Sequence, residues 1–230
     1  MKPYQESSKG RLTFVNNRLR GSSPLRKFLV RTIWRALDHL LDAWQLALDS
    51  LGPAPISADS SGAQVRILFV CYGNICRSPM AEGILRQLLA LRGLLGQITV
   101  DSAGTGVQNV GKRPHWRARA CARKRGVNIS DLRARQFSSN DFERFDYILV
   151  MDQTNLSDVM RSRRGEEGRK KVSMLLDHVP DAKSREISDP VGKGTKHFEE
   201  VYDLIERGCL GLLEEIASVQ REASKSSPCH

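Results

Sequence analysis

Long apolar runs are missing from this chain. No unbroken stretch approaches the roughly 20 residues that a membrane-spanning helix needs, so no helical span is expected. The opening Met1-Lys2-Pro3-Tyr4-Gln5-Glu6 has no apolar core and does not read as a secretory signal peptide. Cysteine is sparse and odd in number: Cys71, Cys76, Cys121, Cys209 and Cys229 are the five in 230 residues. Without framework spacing they exclude a disulfide scaffold and point to a reducing compartment, expected to be the cytoplasm. Histidine is equally rare. His39, His115, His178, His197 and His230 show no pair at ligand spacing, and Cys229-His230 alone cannot complete a site. No metal and no cofactor is expected. With 40% apolar and 27% charged residues, the composition also excludes collagen and low-complexity disorder.

What is abundant is positive charge, with 36 Lys and Arg against 26 Asp and Glu, a formal net charge of +10. It concentrates twice, in Lys112–Arg135, where Asp131 is the single acid, and in Arg161–Lys171, with Glu166 and Glu167. A basic face can attract nucleic acid, anionic lipid or phosphorylated partners. No zinc-finger spacing, basic zipper or RNP-type aromatic motif accompanies these runs, which argues against nucleic acid. Their default reading is a solvated surface.

The chain divides near residue 63. Residues 1–23 read as a basic arm. Leu25, Phe28, Leu29, Ile33, Leu37, Leu40, Leu41, Trp44 and Leu48 then recur every three or four residues, the pattern of an amphipathic helix over 24–50. Residues 51–62 are rich in turn formers and read as a linker. Residues 63–220 are expected to form the main domain and 221–230 a C-terminal tail. Within that domain Val65–Cys71, Gln97–Asp101, Asp146–Met151 and Val172–Leu176 read as strands. Pro79–Leu91, His115–Arg125, a segment from about Thr154, and His197–Val219 read as helices. Largely unbroken apolar strands alternating with helices predict a parallel sheet covered on both faces, preceded by the helical extension.

Ligands of such sheets bind at the carboxyl ends of strands. There the sequence runs Cys71-Tyr72-Gly73-Asn74-Ile75-Cys76-Arg77-Ser78-Pro79. It lacks both a Gly-x-Gly-x-x-Gly fingerprint and a Gly-Lys-Ser/Thr, which excludes the dinucleotide and Walker loops. Gly73 permits a tight turn; Ser78 and Pro79 read as helix N-cap and first helical residue. A loop feeding a helix N-terminus turns its backbone N–H groups around a concavity shaped for phosphate, formed by Tyr72, Gly73, Asn74, Ile75, Cys76 and Arg77. Arg77 can add two charge-assisted hydrogen bonds. The helix terminus and the cation both favour a thiolate at Cys71, which can attack phosphorus.

These residues closely resemble the signature of the low-molecular-weight protein tyrosine phosphatases. Agreement continues at Asp101-Ser-Ala-Gly-Thr105, Arg133-Ala-Arg-Gln136, Asp141-Phe142, Phe145-Asp-Tyr-Ile-Leu149, Met151-Asp152, Asn155-Leu156 and Asp189-Pro190, over about residues 65–215. The resemblance implies a four-stranded parallel sheet with helices on both sides and hydrolysis of phosphotyrosine in proteins. It makes Cys71 the nucleophile, Arg77 the phosphate clamp and Asp189 the general acid and base. Asn74, Ser78 and Ser102 match residues that brace the loop and orient the thiolate. Cys76 matches a second cysteine able to form a reversible disulfide with Cys71.

The chain departs from that pattern at the rim. Gln108 stands where an aromatic is common, and Pro190-Val-Gly-Lys-Gly194 carries no Tyr or Phe. For Trp116 two places fit, the rim, reached from a neighbouring loop, and helix packing, which is the default. Ile75 is typical of tyrosine-directed members, whereas related arginine phosphatases tend to carry Thr there. Arsenate reduction on the same fold needs a relay of nearby cysteines, and no close downstream pair exists. A basic module that merely holds phosphate or nucleic acid is the non-enzymatic alternative. For residues 24–50 three roles fit: packing on the catalytic domain, binding a partner protein or a second copy, and lying on an anionic membrane surface.

Overall fold

The computed structural model describes residues 64–162 and 165–226. The basic arm, the amphipathic helix of residues 24–50, the linker and Cys229-His230 lie outside the described residues. The chain forms β1 (Val65–Cys71), α1 (Arg77–Leu91), β2 (Ile98–Gly104), α2 (Trp116–Lys124), α3 (Asp141–Arg144), β3 (Tyr147–Val150), α4 (Gln153–Arg161), α5 (Gly165–Lys170), β4 (Val172–Met174), a 3-10 turn (Leu175–His178) and α6 (Thr195–Ser226). Every strand pairing is parallel, and the order across the sheet is β2-β1-β3-β4.

β1 shows why the strands read as unbroken apolar runs. Ile67, Leu68, Phe69 and Val70 are all fully buried. Ile67 and Phe69 face a core shared with Met80, Ile84 and Leu85 of α1 and Phe198, Tyr202 and Ile205 of α6. Leu68 and Val70 face the other layer, with Phe142 of α3 and Val159 of α4. Both faces are covered, so no position alternates to polar. Each such side chain contributes roughly 1.5–3 kcal/mol over its exposed state. β1 lies between β2 and β3, so the chain leaves it in opposite directions. That reversal opens a crevice at the carboxyl ends of β1 and β3, where ligands of this architecture bind.

Several boundaries differ from the pattern-based expectation. β2 continues through Ser102-Ala103-Gly104, because Asp101–Gly104 pairs residue for residue with Leu68–Cys71. Small and polar residues signal strand weakly, and the partner strand overrides that. β4 stops at Met174, whose N–H donates to the Asp177 carboxylate and curls Leu175–His178 into the turn. α6 begins at Thr195 and runs beyond Val219 to Ser226. α3 and α5, at four and six residues, are too short to carry an apolar period.

α6 crosses the turn after β4 at very close range. A Cβ on Gly211 would lie 1.9 Å from the His178 carbonyl oxygen. Gly211→Ala therefore has to push the helix off the turn. It is expected to lower unfolding stability by about 1–3 kcal/mol, measured by urea denaturation; an unchanged midpoint would contradict this packing.

Candidate active site

The loop between β1 and α1 is turned inside out relative to an ordinary turn. The carbonyls of Cys71, Tyr72, Ile75 and Cys76 accept from the N–H groups of Thr105, Gly106, His115 and Met80. In a trans peptide the N–H points opposite to the carbonyl. The N–H groups of Tyr72, Gly73, Cys76 and Arg77 therefore face away from those partners, into the cradle. Asn74 sits in the left-handed region, at φ 50°, which reverses the chain so that successive amides converge. Gly104 at the end of β2 is needed for the close approach: a Cβ there would meet the Tyr72 carbonyl oxygen at 2.7 Å and the Asn74 nitrogen at 3.0 Å.

A buried chain of hydrogen bonds supports this shape. Cys71 Sγ lies 3.0 Å from Ser78 Oγ. Asn74 Nδ2 donates to both Ser78 Oγ and Ser102 Oγ, each at 2.9 Å. Asn74 Oδ1 accepts from the Arg135 N–H at 2.8 Å. Ser102 Oγ donates to Glu82 Oε2 at 2.6 Å, and Arg86 pairs with Oε1 at 2.7 Å. Burial raises the proton affinity of Glu82 above the usual carboxylate range, with Ser102 and Arg86 opposing. Arg135 pairs with Asp101 and with the fully buried Asp141, fixing the loop segment that supplies the N–H to Asn74.

Arg77 opens α1 and is 2% exposed. Its Nη1 donates to Asp152 Oδ2 at 2.5 Å and to the Ile187 carbonyl at 2.9 Å; its Nη2 donates to Asp189 Oδ2 at 2.8 Å. Burial works against its charge, but Cys71, Asp152 and Asp189 outweigh it and hold the guanidinium above its ordinary value. Asp152 caps α4, its Oδ1 accepting from the Asn155 N–H. The Ile187 N–H donates to the Met151 carbonyl at the end of β3. The acid-bearing loop is thus pinned two residues before Asp189. Asp189 is half-exposed, and its Oδ1 accepts from the Val191 N–H. Burial first, then Cys71 and Asp189, pushes the Cys76 thiol well above its ordinary value, with Arg77 opposing. Cys71 and Cys76 are both free and buried.

Cys71, Arg77, Asp189, Asn74, Ser78 and Ser102 thus converge, and Tyr72–Cys76 form the cradle wall. Two expectations are corrected. Ser78 is not the N-cap of α1, nor is Pro79 its first residue: the helix starts at Arg77 and the cap position falls on Cys76, with no side-chain cap. The Ser78 hydroxyl is fully buried and serves Cys71, Asn74 and the Ala103 carbonyl instead, partners that water cannot replace. Trp116 is not packed into the helix layer. It opens α2 and is 57% exposed, because His115 rather than Trp116 stacks on the buried Phe198. Roles for Asp152, Glu82, Arg135 and the Ile187 carbonyl were not readable. The signal for Arg135 and Asp152 was their place in segments that match the family pattern, which gave no role.

A family model described as low molecular weight phosphotyrosine protein phosphatase matches residues 66–225. The low molecular weight protein-tyrosine-phosphatase YfkJ of Bacillus subtilis is 44% identical over 158 residues, 69% of this chain and 97% of that protein. The low molecular weight phosphotyrosine protein phosphatase of Gallus gallus is 38% identical over 156 residues, 67% of this chain and 98% of its own length. The crystal structure of YfkJ matches with a TM-score of 0.64 at 42% identity, covering 70% of this chain and 98% of that one. A protein tyrosine phosphatase from Entamoeba histolytica, with Hepes in the active site, matches with a TM-score of 0.65 at 32% identity, covering 68% and 99%.

Asn74 is the hub of the buried network. Asn74→Ala strands Ser102, Ser78 and the Arg135 N–H and places Ala at a left-handed φ. Stability is expected to fall by about 1–3 kcal/mol with a parallel loss of phosphate affinity, read by denaturation and by inorganic phosphate inhibition. Unaltered phosphate binding would contradict a bracing role.

Proposed function

This chain belongs to the low molecular weight phosphotyrosine protein phosphatase family, and we propose that it hydrolyses phosphotyrosine in proteins through a phosphocysteine on Cys71. The single observation that carries this mechanism is the arrangement around Arg77. One guanidinium at the helix N-terminus lies beside Cys71 and reaches Asp189 within one hydrogen bond.

Phosphate entering the cradle takes the inward N–H groups and competes with Asp189 for Nη2 of Arg77. Released from the cation, the Asp189 carboxyl is free to turn toward the leaving oxygen as its proton donor. Cys71 thiolate then attacks phosphorus in line. The bond from phosphorus to the tyrosyl oxygen breaks as Asp189 gives that oxygen its proton. Loop amides and Arg77 stabilise charge on the equatorial oxygens. In the second half, Asp189 carboxylate takes a proton from water, the water oxygen attacks phosphorus, and the bond to sulfur breaks. Thiolate and inorganic phosphate are regenerated. Ser78 Oγ, 3.0 Å from Sγ, is placed to stabilise the leaving thiolate.

Pro190 limits the backbone of Asp189 and helps aim it. Ile75 supports tyrosine over arginine as the phosphorylated residue. Arsenate reduction is disfavoured because Cys121 and Cys209 are buried with their thiols against the carbonyls of Phe198 and Ala81. A thiolate enzyme suits a reducing compartment such as the cytoplasm. Among the described residues no helix is long and apolar enough to cross a membrane. A phosphoprotein is the partner; residues 24–50 remain candidates for a partner protein or a membrane surface.

The test is hydrolysis of p-nitrophenyl phosphate and a phosphotyrosine peptide by wild type, Cys71→Ser and Asp189→Ala. Cys71→Ser is expected to abolish turnover. Asp189→Ala is expected to lower kcat about 10²–10⁴-fold on the peptide and less on the nitrophenyl ester, whose leaving group needs no proton. Full activity of Cys71→Ser would refute the mechanism.

A further inference from the structure

The basic run Lys112–Arg135 is split in two by the fold. Much of its second half is compensated within the protein: Lys124 pairs with Glu199, Arg125 with Asp203, and Arg135 with Asp101 and Asp141, while Arg123 and Arg133 bond to the Ser130 hydroxyl and to backbone carbonyls. Its first half is not. Lys112, Arg113 and Arg117 make no ion pair with a carboxylate among the described residues, and Lys112 and Arg113 are exposed.

The segment carrying these cations borders the phosphate loop, and Lys112 Nζ donates to Asn109 Oδ1 at 3.1 Å. The segment leans on that loop at two points. A Cβ on Gly73 would lie 2.8 Å from Asn109 Nδ2, and the His115 N–H donates to the Ile75 carbonyl at 2.7 Å. Between those points the segment is clamped by Gly111 N–H to the Ala134 carbonyl and by Ala134 N–H to the Lys112 carbonyl. Lys112 and Arg113 are therefore carried on a fixed wall. Trp116 continues that wall. Its exposed ring stacks against His115, and the Arg117 guanidinium sits 4.4 Å from its centroid. Burial, then Arg117 and Arg119, holds His115 below its ordinary value, so its neutral Nδ1 accepts the Arg117 N–H. Tyr72 rises from the loop itself, half-exposed, its hydroxyl accepting from Gln108. The carboxylates at the site, Asp152 and Asp189, already engage Arg77.

We propose that this wall selects phosphotyrosine segments bearing Asp or Glu beside the phosphorylated residue, with Lys112 and Arg113 reading the carboxylates and Trp116 serving as the apolar floor under the flanking chain. The inference deepens the phosphatase reading and rests on it. Uncompensated cations on a rigid wall favour an acidic partner and repel a basic one. Exposed pairs are individually weak, so the combined preference is expected to be about 3–10-fold, and salt should screen it.

The experiment compares kcat/KM for phosphotyrosine peptides that differ only in flanking Glu, Gln or Lys, at low and high salt. p-Nitrophenyl phosphate, which has no flanks, reports the chemistry. Wild type should prefer Glu over Gln over Lys at low salt, and the order should flatten at high salt. Lys112→Glu/Arg113→Glu should lose or invert the order, chiefly through KM. Arg169→Glu/Lys170→Glu makes the same charge change on α5, at the opposite end of the sheet, and should preserve it. Equal turnover of the three peptides by wild type would overturn the proposal, as would equal loss of preference in both variants. Failure of wild type to hydrolyse even p-nitrophenyl phosphate would refute the underlying phosphatase reading, and this inference with it.

Discussion

Arg77 is a guanidinium taken almost wholly out of water at the first turn of a helix, and two separate loops must meet it there for it to stay. Its partners are Asp152 after β3, the Ile187 carbonyl held by Met151, and Asp189 two residues on. A buried charge that loses a partner costs about 3–5 kcal/mol. The fold therefore holds Arg77 and Asp189 together beside Cys71 as a condition of its own stability. The buried network from Cys71 through Ser78, Asn74 and Ser102 to Glu82 does the same for the loop's shape.

Topology makes this meeting possible. The reversal of strand order at β1 brings the carboxyl ends of β1 and β3 side by side, one carrying Cys71 and the other leading to Asp152. α1 then directs its N-terminus at the same crevice. The glycines that matter here are those where backbone meets backbone, Gly104 against the loop and Gly211 against the turn after β4. At the rim, where the first aromatic position of the family pattern is Gln108, Tyr72 and Trp116 supply exposed rings from other positions. Gln108 holds the Tyr72 hydroxyl.

The parts of this arrangement legible in the sequence are those whose physics is local. β1 was readable because burial on both faces demands an unbroken apolar run. The cradle was readable because a thiol, a turn glycine and an arginine between a strand and a helix have few other uses. Asp189 was legible only through family resemblance, since an Asp-Pro elsewhere is simply a turn. Ser78 was misread because a Ser-Pro at a helix start looks the same whether its hydroxyl caps the helix or turns inward. Of the two places open to Trp116 the default one was wrong, because His115 takes the buried place against Phe198 and nothing local encodes which of the two neighbouring rings turns inward. The extension of β2 and the duties of Asp152, Glu82 and Arg135 depend on partners 20 to 80 residues away, which no local pattern encodes.

The central claim is that the cradle holds phosphate on the sulfur of Cys71. The direct measurement is mass spectrometry of acid-quenched Asp189→Ala protein during turnover of p-nitrophenyl phosphate, with peptide mapping of the modified residue. One phosphoryl group on the peptide bearing Cys71, absent from the companion Cys71→Ser protein, is the predicted result. Turnover with no phosphorylated cysteine, or with the phosphoryl group on Cys76 instead, would contradict the account.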